Sequence, residues 1–248
     1  MKRALLLVVL AACGTTGGDL VTFDVTAAGV PGAGSIDTGL GWHVELSRAH
    51  LYLGAVYLNL AVPISGSQET NCILPGIYTA EELSPLDVDV LSTTPQPFPQ
   101  PATGTDDEAR TGEVWFTSGD VNADTDDQVI ADLAGVATSG ATIMPFTATV
   151  TISRANRGIP QTIPSQPSAH PICKQRIVSP IPIDLSPRDG GTLAIAVDPQ
   201  AWFANVDFTK LVPGASGFVF PDANTNDASQ NLFSGIRGAS STFKLSFQ

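Results

Sequence analysis

Hydrophobic and polar residues alternate along several stretches of the chain, which is the pattern of β-strands with one buried face. The clearest stretches are residues 20–26, 142–154, 192–197 and 242–247. In the first of these, Val21, Phe23 and Val25 fall on one face. Residues 44–62 are apolar on both faces, which indicates a central strand or a hairpin between two layers. The pattern therefore predicts an all-β fold.

Helical periodicity is scarce along the rest of the chain. The Asp198-Pro199 pair predicts a short helix, with Asp198 as N-cap and the proline at the first helical position. Residues 128–137 are a weaker helical candidate. The proline-rich connections 95–101 and 160–171 predict extended, irregular chain. We expect an antiparallel β-sandwich with long Pro/Gly-rich loops and one or two short helices, with a partly closed barrel as the alternative.

The composition supports a packed core and argues against one class of partner. Hydrophobic residues make up 43% of the 248 residues and charged residues only 15%, which is unlike a disordered chain. The formal net charge is −12, and removal of Lys2 and Arg3 with a leader would make it more negative. Such a surface repels phosphate backbones, so we expect no nucleic-acid partner.

The amino terminus carries the most specific motif. A basic start at residues 1–3 precedes nine apolar residues, 4–12, whereas crossing a bilayer takes roughly twenty, so the segment is typical of a signal peptide. The sequence Leu10-Ala11-Ala12-Cys13 resembles the lipobox of bacterial lipoproteins. The resemblance implies that Cys13 becomes the first mature residue and carries acyl chains such as palmitate. The alternative is an ordinary signal peptide cleaved after Ala12.

The lipobox resemblance also implies a location. Several acyl chains on one residue anchor a protein stably to a membrane. Gly14 differs from the aspartate that retains many lipoproteins at the inner membrane, so we expect the bacterial cell envelope and its outer membrane. Residues 13–19 are then a lipidated tether of at most about 20 Å. Residues 20–248 are predicted to form a single β-sandwich domain.

Two further cysteines remain once Cys13 is acylated. Cys72 and Cys173 each lie in a proline-bearing loop, and in an oxidising envelope we expect them to form a disulfide. In the chain-entropy model such a bridge stabilises the fold by about 4 to 5 kcal/mol. A catalytic thiol is the alternative, although neither cysteine has sequence neighbours arranged to lower its pKa.

One acidic stretch resembles the opening of a dockerin or EF-hand calcium loop. The oxygen ligands would be Asp120, Asn122, Asp124 and Asp126. Thr125 stands where the turn glycine belongs, and Ala131 where the bidentate acid belongs. An acidic, solvated turn explains the same residues. Residues 222–227 repeat the spacing and also lack the completing acid.

The chain has three histidines, His43, His50 and His170. On one unbroken strand, His43 and His50 point to opposite faces, and they chelate together only if a bulge or a turn intervenes. Trp42 with these two histidines near the first strands resembles, in general arrangement, the MbnP-like copper-binding proteins. That resemblance implies a copper site, whereas isolated histidines are the alternative. Only two methionines occur, which excludes a methionine-rich copper(I) site.

No enzyme signature emerges, and residues 214–218 lack the final glycine of a nucleophile elbow. Trp202, Phe203 and Phe208 cluster in sequence and are expected to close one end of the core, the alternative being a recognition patch. We therefore expect a non-enzymatic binding or structural lipoprotein of the envelope, whose partner is an unknown envelope protein or glycan. The alternative is a metal-binding envelope protein, with calcium favoured over copper.

Overall fold

Strands dominate the protein. The computed structural model describes residues 17–61, 76–117, 128–152, 175–223 and 225–248. Strands account for 55% of these residues, which confirms a mostly β fold. The strands in this part of the chain are β1 (Leu20–Gly29), β2 (Ser35–Asp37), β3 (His43–Asn59), β4 (Tyr78–Glu82), β5 (Leu86–Asp89), β6 (Gln96–Pro97), β7 (Ala102–Thr105), β8 (Ala109–Phe116), β9 (Gln128–Ser139), β10 (Thr142–Ile152), β11 (Ile177–Leu185), β12 (Thr192–Val197), β13 (Val212–Gly214), β14 (Gly217–Val219) and β15 (Phe243–Phe247).

The 17-residue strand β3 organises the sheet. Along one edge it pairs first with β9 and then with β8, and along the other with β2, β5 and β4 in turn. From β3 the sheet continues through β9, β10, β14 and β13 on one side, and through β4, β7, β1, β12 and β15 on the other. The apolar stretch 44–62 therefore contributes a central strand, which is one of the two arrangements that its two-sided pattern predicted, and the described part of it does not form a hairpin.

The expectation of a purely antiparallel fold is wrong. Strand β12 runs parallel to β1, with Asp24 opposite Thr192, and β14 runs parallel to β10, with Phe146 opposite Phe218. Parallel neighbours need long connections, and more than 160 residues separate β1 from β12 in the chain. Alternation within a strand reports its buried face but not the direction of its neighbours, so the sequence carried no signal for this mixed sheet.

The alternating stretches form strands whose apolar faces build one core. Val21, Phe23 and Val25 are buried along β1, and Leu193, Ile195 and Val197 along β12. Every second residue of β10 from Met144 to Ile152 is buried as well. We call the side of the sheet that faces this core the inner face, and the opposite side the outer face.

Helix is short and lies near the carboxyl end. The 3-10 helix Pro199–Phe203 begins as predicted, with the Asp198 carboxylate accepting the Gln200 N–H at 2.9 Å. A second 3-10 helix covers Phe208–Lys210, and the α-helices in the described residues are α1 (Asp227–Ile236) and α2 (Ala239–Thr242). None of the described helices is long and apolar enough to cross a bilayer.

The predicted helix at 128–137 is wrong, because these residues belong to β9. Ile130, Ala131, Leu133 and Ala137 are buried in β9, and β3 and β10 pair with its two edges. Tertiary pairing on both sides overrides the weak local helical preference of this apolar segment.

An N-terminal clamp fixes the start of the described chain to the sheet. The Asp19 N–H donates to Asp106 Oδ1 at 2.8 Å, and the Gly18 N–H donates to Asp107 Oδ2 at 3.3 Å. The Asp106 N–H returns a bond to the Asp19 carbonyl at 3.0 Å. Thr105 Oγ1 donates to Asp107 Oδ2 at 2.8 Å and so orients that carboxylate. These bonds hold Gly18 and Asp19 beside the end of β7.

Candidate binding groove

An open groove of about 510 Å³ crosses the outer face of the sheet next to the N-terminal clamp. Its walls and floor are the start of β1 (Leu20–Thr22), β4 (Tyr78–Glu81) and the end of β7 (Thr103–Thr105). This volume lies within the range of about 300 to 1,000 Å³ that is usual for ligand sites. The groove is therefore large enough to hold a small molecule or part of a polymer.

Backbone packing sets the shape of the groove at Gly104. A Cβ atom on this residue would stand 2.3 Å from the Thr79 carbonyl oxygen and 2.4 Å from the Ala80 Cβ. Only glycine therefore permits β7 to lie this close to β4, where Ala80 faces Gly104 and Glu81 faces Thr103. Because of this close approach, the four-residue strand β7 lies between β1 and β4 and forms the floor of the groove.

The lining is hydroxylic, with one carboxylate and one aromatic ring. Four threonines contribute to it, namely Thr22, Thr79, Thr103 and Thr105. Glu81 and Tyr78 add the carboxylate and the ring, and Leu20, 87% exposed, forms an apolar lip. The described residues that line the groove include no lysine, arginine or histidine. The surface therefore offers hydrogen-bond donors and acceptors with a negative bias.

A second hollow of about 270 Å³ continues the groove along β4 and β7. The two depressions share Glu81 and Thr103, and the second adds Leu83, Ser84, Gln100 and Pro101. Glu81 therefore lies near the middle of an elongated depression rather than at its end.

A row of aromatic rings supports the Tyr78 wall. The rings of Tyr78 and Tyr57 meet edge to face with centroids 5.0 Å apart, and the Tyr57 and Trp115 centroids are 5.2 Å apart. Tyr57 and Trp115 are buried and Tyr78 is half-buried. Burial, with Glu81 and Glu113 nearby, raises the pKa of Tyr57 to about 12. Tyr57 is therefore uncharged at physiological pH, and the row holds Tyr78 from behind.

The buried carboxyl of Glu113 fixes the Trp115 end of this row. Trp115 Nε1 donates to Glu113 Oε2 at 3.1 Å, and Asn59 Nδ2 donates to Oε1 at 3.2 Å. Ser179 Oγ is 3.5 Å from the same Oε1. Burial raises the pKa of Glu113 even though these donors favour its ionised form. The carboxyl thus sets the position of the Trp115 ring.

Buried polar atoms without a hydrogen-bond partner gather at β4 and its neighbour on β3. In the described part of the chain they are Thr79 Oγ1, Asn59 Oδ1 and Glu82 Oε2. Thr79 belongs to the groove, and Asn59 pairs with Tyr78 across the sheet. Glu82 lies on the inner face, where burial raises its pKa and Ser84 donates to Oε1. Unsatisfied atoms are rare in folded proteins and call for a partner such as water or a ligand.

The histidines lie on one face but apart from each other. A β-bulge between Leu46 and Arg48 shifts the register against β9, so that His43 and His50 both lie on the outer face. Their separation of seven positions corresponds to about 20 Å along the strand. His43 Nδ1 lies 2.7 Å from Asp37 Oδ1, and His50 Nδ1 lies 2.8 Å from Asp87 Oδ1. The hydrogen bond to Asp37 raises the pKa of His43.

Trp42, the third residue of the copper resemblance, lies elsewhere, because it is buried against the Phe208 ring at 5.3 Å. No group of three or more His, Cys, Asp or Glu side chains in the described ranges is arranged to hold a metal ion. His170 lies outside those ranges. The described part of the chain therefore does not bring the residues of the copper resemblance together.

Several predicted site residues lie outside the described residues: Cys13, Cys72, Cys173, Asp120, Asn122, Asp124 and Asp126. The acylation, the disulfide and the first calcium loop therefore remain predictions. In the second acidic stretch, the Asp222 carboxylate accepts the Thr151 N–H at 3.0 Å and also bonds the Thr151 hydroxyl. Asn226 caps α1 by accepting the Ser229 N–H at 3.0 Å. These two residues serve hydrogen bonds within the fold.

The aromatic cluster near the carboxyl end belongs to the core. Trp202, Phe203 and Phe208 have no exposed surface, and the Phe203 and Phe208 rings stack with centroids 5.9 Å apart. The expectation that they close one end of the core is confirmed, and a recognition patch built on them is not present. Residues 214–218 form the turn of the β13–β14 hairpin, so Ser216 does not sit between a strand and a helix.

Sequence reasoning missed the groove residues Tyr78, Glu81, Thr103 and Thr105. They lie on short strands that the alternation did not single out, and β1, β4 and β7 are far apart in the chain. The one local signal was the Thr-Gly-Thr sequence at 103–105, which places two threonines on one face around a glycine. Comparisons of the chain with models of protein families, with curated proteins and with solved structures found no match.

Proposed function

We propose that this protein is a lipid-anchored binding module of the bacterial cell envelope and that the groove on the outer face is its binding surface. The observation that carries the proposal is the place of the groove, directly beside the N-terminal clamp. Cys13 is five residues from Gly18, so the intervening chain spans about 20 Å at most. An acylated Cys13 would therefore hold the groove close to a membrane, which we propose is the outer membrane.

The proposal assigns binding rather than catalysis to the groove. Its lining offers one carboxylate among hydroxyls and apolar atoms, and it lacks a histidine or thiol in the described residues that would activate a nucleophile. An open depression lined with hydrogen-bonding groups is suited to recognition of a partner.

The proposal also includes the β-sandwich. Buried residues from the β9–β10 side of β3 and from the β1–β12 side enter one core, as two packed layers would require. We propose that the central strand β3 contributes to both layers, with the change of layer near Gly54, where a Cβ would stand 2.0 Å from Thr117 Cγ2.

Two experiments on the full chain in a bacterial envelope test the proposal. Intact-mass analysis is expected to show acylation at Cys13, and a Cys13→Ala variant is expected to leave the membrane fraction. A photo-crosslinking residue at position 103 is expected to capture a partner, whereas the same residue at exposed position 149 on β10 is the matched control. An unmodified Cys13 contradicts the anchor, and equal capture at both positions contradicts the groove.

Calcium binding by residues 120–126 is the second proposal, carried by the spacing of Asp120, Asn122, Asp124 and Asp126. A bound ion stabilises a fold in proportion to the logarithm of its concentration above the Kd. We therefore expect the melting temperature to rise with calcium and to fall in chelator. Alanine at both Asp120 and Asp124 is expected to remove the difference, and an equal melting temperature in calcium and chelator for the unaltered chain contradicts the proposal.

A further inference from the structure

We infer that the groove binds a linear, uncharged glycan, with Tyr78 as the surface against which a sugar ring stacks and Glu81 as the central hydrogen-bond acceptor. This inference rests on the proposed function, because it names the ligand class of the same binding surface. It is carried by the hydrogen-bonding capacity, the charge and the shape of the groove, and by the support behind Tyr78.

The hydrogen-bonding capacity of the lining matches that of a polyol. Glu81 only accepts hydrogen bonds when ionised, whereas the hydroxyls of Thr22, Thr103 and Thr105 both donate and accept. A sugar hydroxyl also donates and accepts, so neighbouring hydroxyls of one ring satisfy both kinds of group. An extended peptide offers mainly backbone groups, and it would need an unpaired strand edge, whereas β7 is paired with β1 and β4 on its two sides.

One buried hydroxyl without a hydrogen-bond partner belongs to a residue that lines the groove. Thr79 is 6% exposed, lines the groove, and its hydroxyl has no hydrogen-bond partner in the described structure. A hydroxylated ligand at this wall, or a water that it orders, would supply the partner that the Thr79 hydroxyl lacks. Asn59 is fully buried and does not line the groove.

The charge around the groove selects against anions. Glu81 lies in the lining, and Asp106 and Asp107 of the N-terminal clamp lie beside it at the end of β7. No cation among the described lining residues offsets them, so a phosphate, sulfate or uronate would be repelled. The ligand is therefore an uncharged glycan rather than an acidic one.

The shape and the support of the wall favour a chain of sugars over a single ring. The groove and the second hollow share Glu81 and Thr103, so a linear ligand would pass Glu81 with units on either side. Tyr78 is backed by Tyr57, which is backed in turn by Trp115 and its bond to Glu113. A side chain held in this way loses little conformational freedom on binding, which favours affinity.

The test measures binding to the full-length protein, purified in a detergent whose headgroup is not a sugar. The probes are uncharged hexose oligomers, uncharged N-acetylhexosamine oligomers, uronic acid oligomers and an extended peptide of mixed sequence. The variants are Glu81→Gln and Tyr78→Ala. Their matched controls are Glu45→Gln and Tyr52→Ala, which alter the same residue types on the outer face at β3, away from the groove.

We expect at least one uncharged oligomer to bind, longer oligomers to bind more tightly, and each groove variant to weaken binding about tenfold. The control variants and unaltered circular dichroism spectra guard against unfolding. Binding of the uronic acid oligomer or the peptide alone, or binding that both groove variants leave unchanged, overturns the inference. Capture of a protein at position 103 with no oligosaccharide binding overturns the inference but supports the proposed function, whereas failure of both measurements overturns both.

Discussion

Replacing Phe208 by alanine measures how firmly the aromatic cluster closes the core. The Phe208 side chain has no exposed surface. Its ring centroid lies 5.3 to 5.8 Å from those of Trp42, Phe146 and Phe220, and 5.9 Å from that of Phe203. Removing a buried phenylalanine costs about 3 to 5 kcal/mol, and aromatic pairs add about 0.5 to 1.5 kcal/mol each. With four ring neighbours, we expect the free energy of unfolding to fall by about 5 kcal/mol, the upper end of the first range.

The assay is equilibrium unfolding in urea, in which the free energy and its denaturant slope are both obtained. The same loss would lower the melting temperature by about 10 to 20 °C for a domain of this size. Ile143→Ala is the control, because that side chain is 66% exposed and its removal is expected to cost less than about 0.5 kcal/mol. A loss below about 1 kcal/mol for Phe208→Ala with an unchanged slope would refute the assignment of this cluster to the core.

Three further substitutions test other parts of the structure. Gly104→Ala is expected to lower stability by about 1 to 3 kcal/mol and to weaken any binding in the groove, because its Cβ would collide with Thr79 and Ala80; equal stability in urea would contradict this close approach. Burial raises the pKa of Glu82, so the contribution of Glu82 to stability is expected to be greatest below the ordinary carboxyl pKa and to be lost as the pH rises through the raised value. The Glu82→Gln variant is expected to lose less stability as the pH rises and to need a higher urea concentration to unfold at neutral pH. A larger loss of stability with pH in the variant would contradict the expected direction. Asn226→Ala is expected to cost about 1 kcal/mol through the lost cap of α1, and a loss near zero in the same assay would show that the cap is dispensable.

Periodicity predicted the strands whose two faces meet different environments. In β10, a buried residue at every second position from Met144 to Ile152 left a clear alternating record in the sequence. In β9 the alternation is weak, because alanines and a glycine fill much of its buried face, and the sequence therefore predicts a helix there instead. Helix α1 was not foreseen, although Asn226 and the buried residues Ala228, Leu232 and Ile236 have helical spacing. Its cap lies inside an acidic stretch whose spacing suggested calcium instead.

The candidate groove could not be predicted from local sequence patterns, because it depends on the order of strands in the sheet. Thr22, Glu81 and Thr103 come together only through the strand order β4–β7–β1. Strand β4 lies about 20 residues before β7 in the chain, whereas β1 lies about 80 residues before it, so long-range pairing fixes this order. The placement of the histidines shows the same dependence, since one bulge near Ser47 moves His50 to the face of His43. A local pattern assigns a residue to a face only while the register is unbroken.

The pairing along β3 has a consequence for how this protein can change. Phe116 of β8 lies opposite Leu53 of β3, and Ala131 of β9 lies opposite Leu51. The end of β8 and the start of β9 therefore pair with neighbouring positions on the same edge of β3. A hydrogen bond of 3.4 Å between the side chains of Thr117 and Gln128 closes the base of the intervening segment. The cost of closing such a segment rises only slowly with its length. The register of β8 and β9 is therefore set by their pairing with β3, and it would not change with the length of the chain between them.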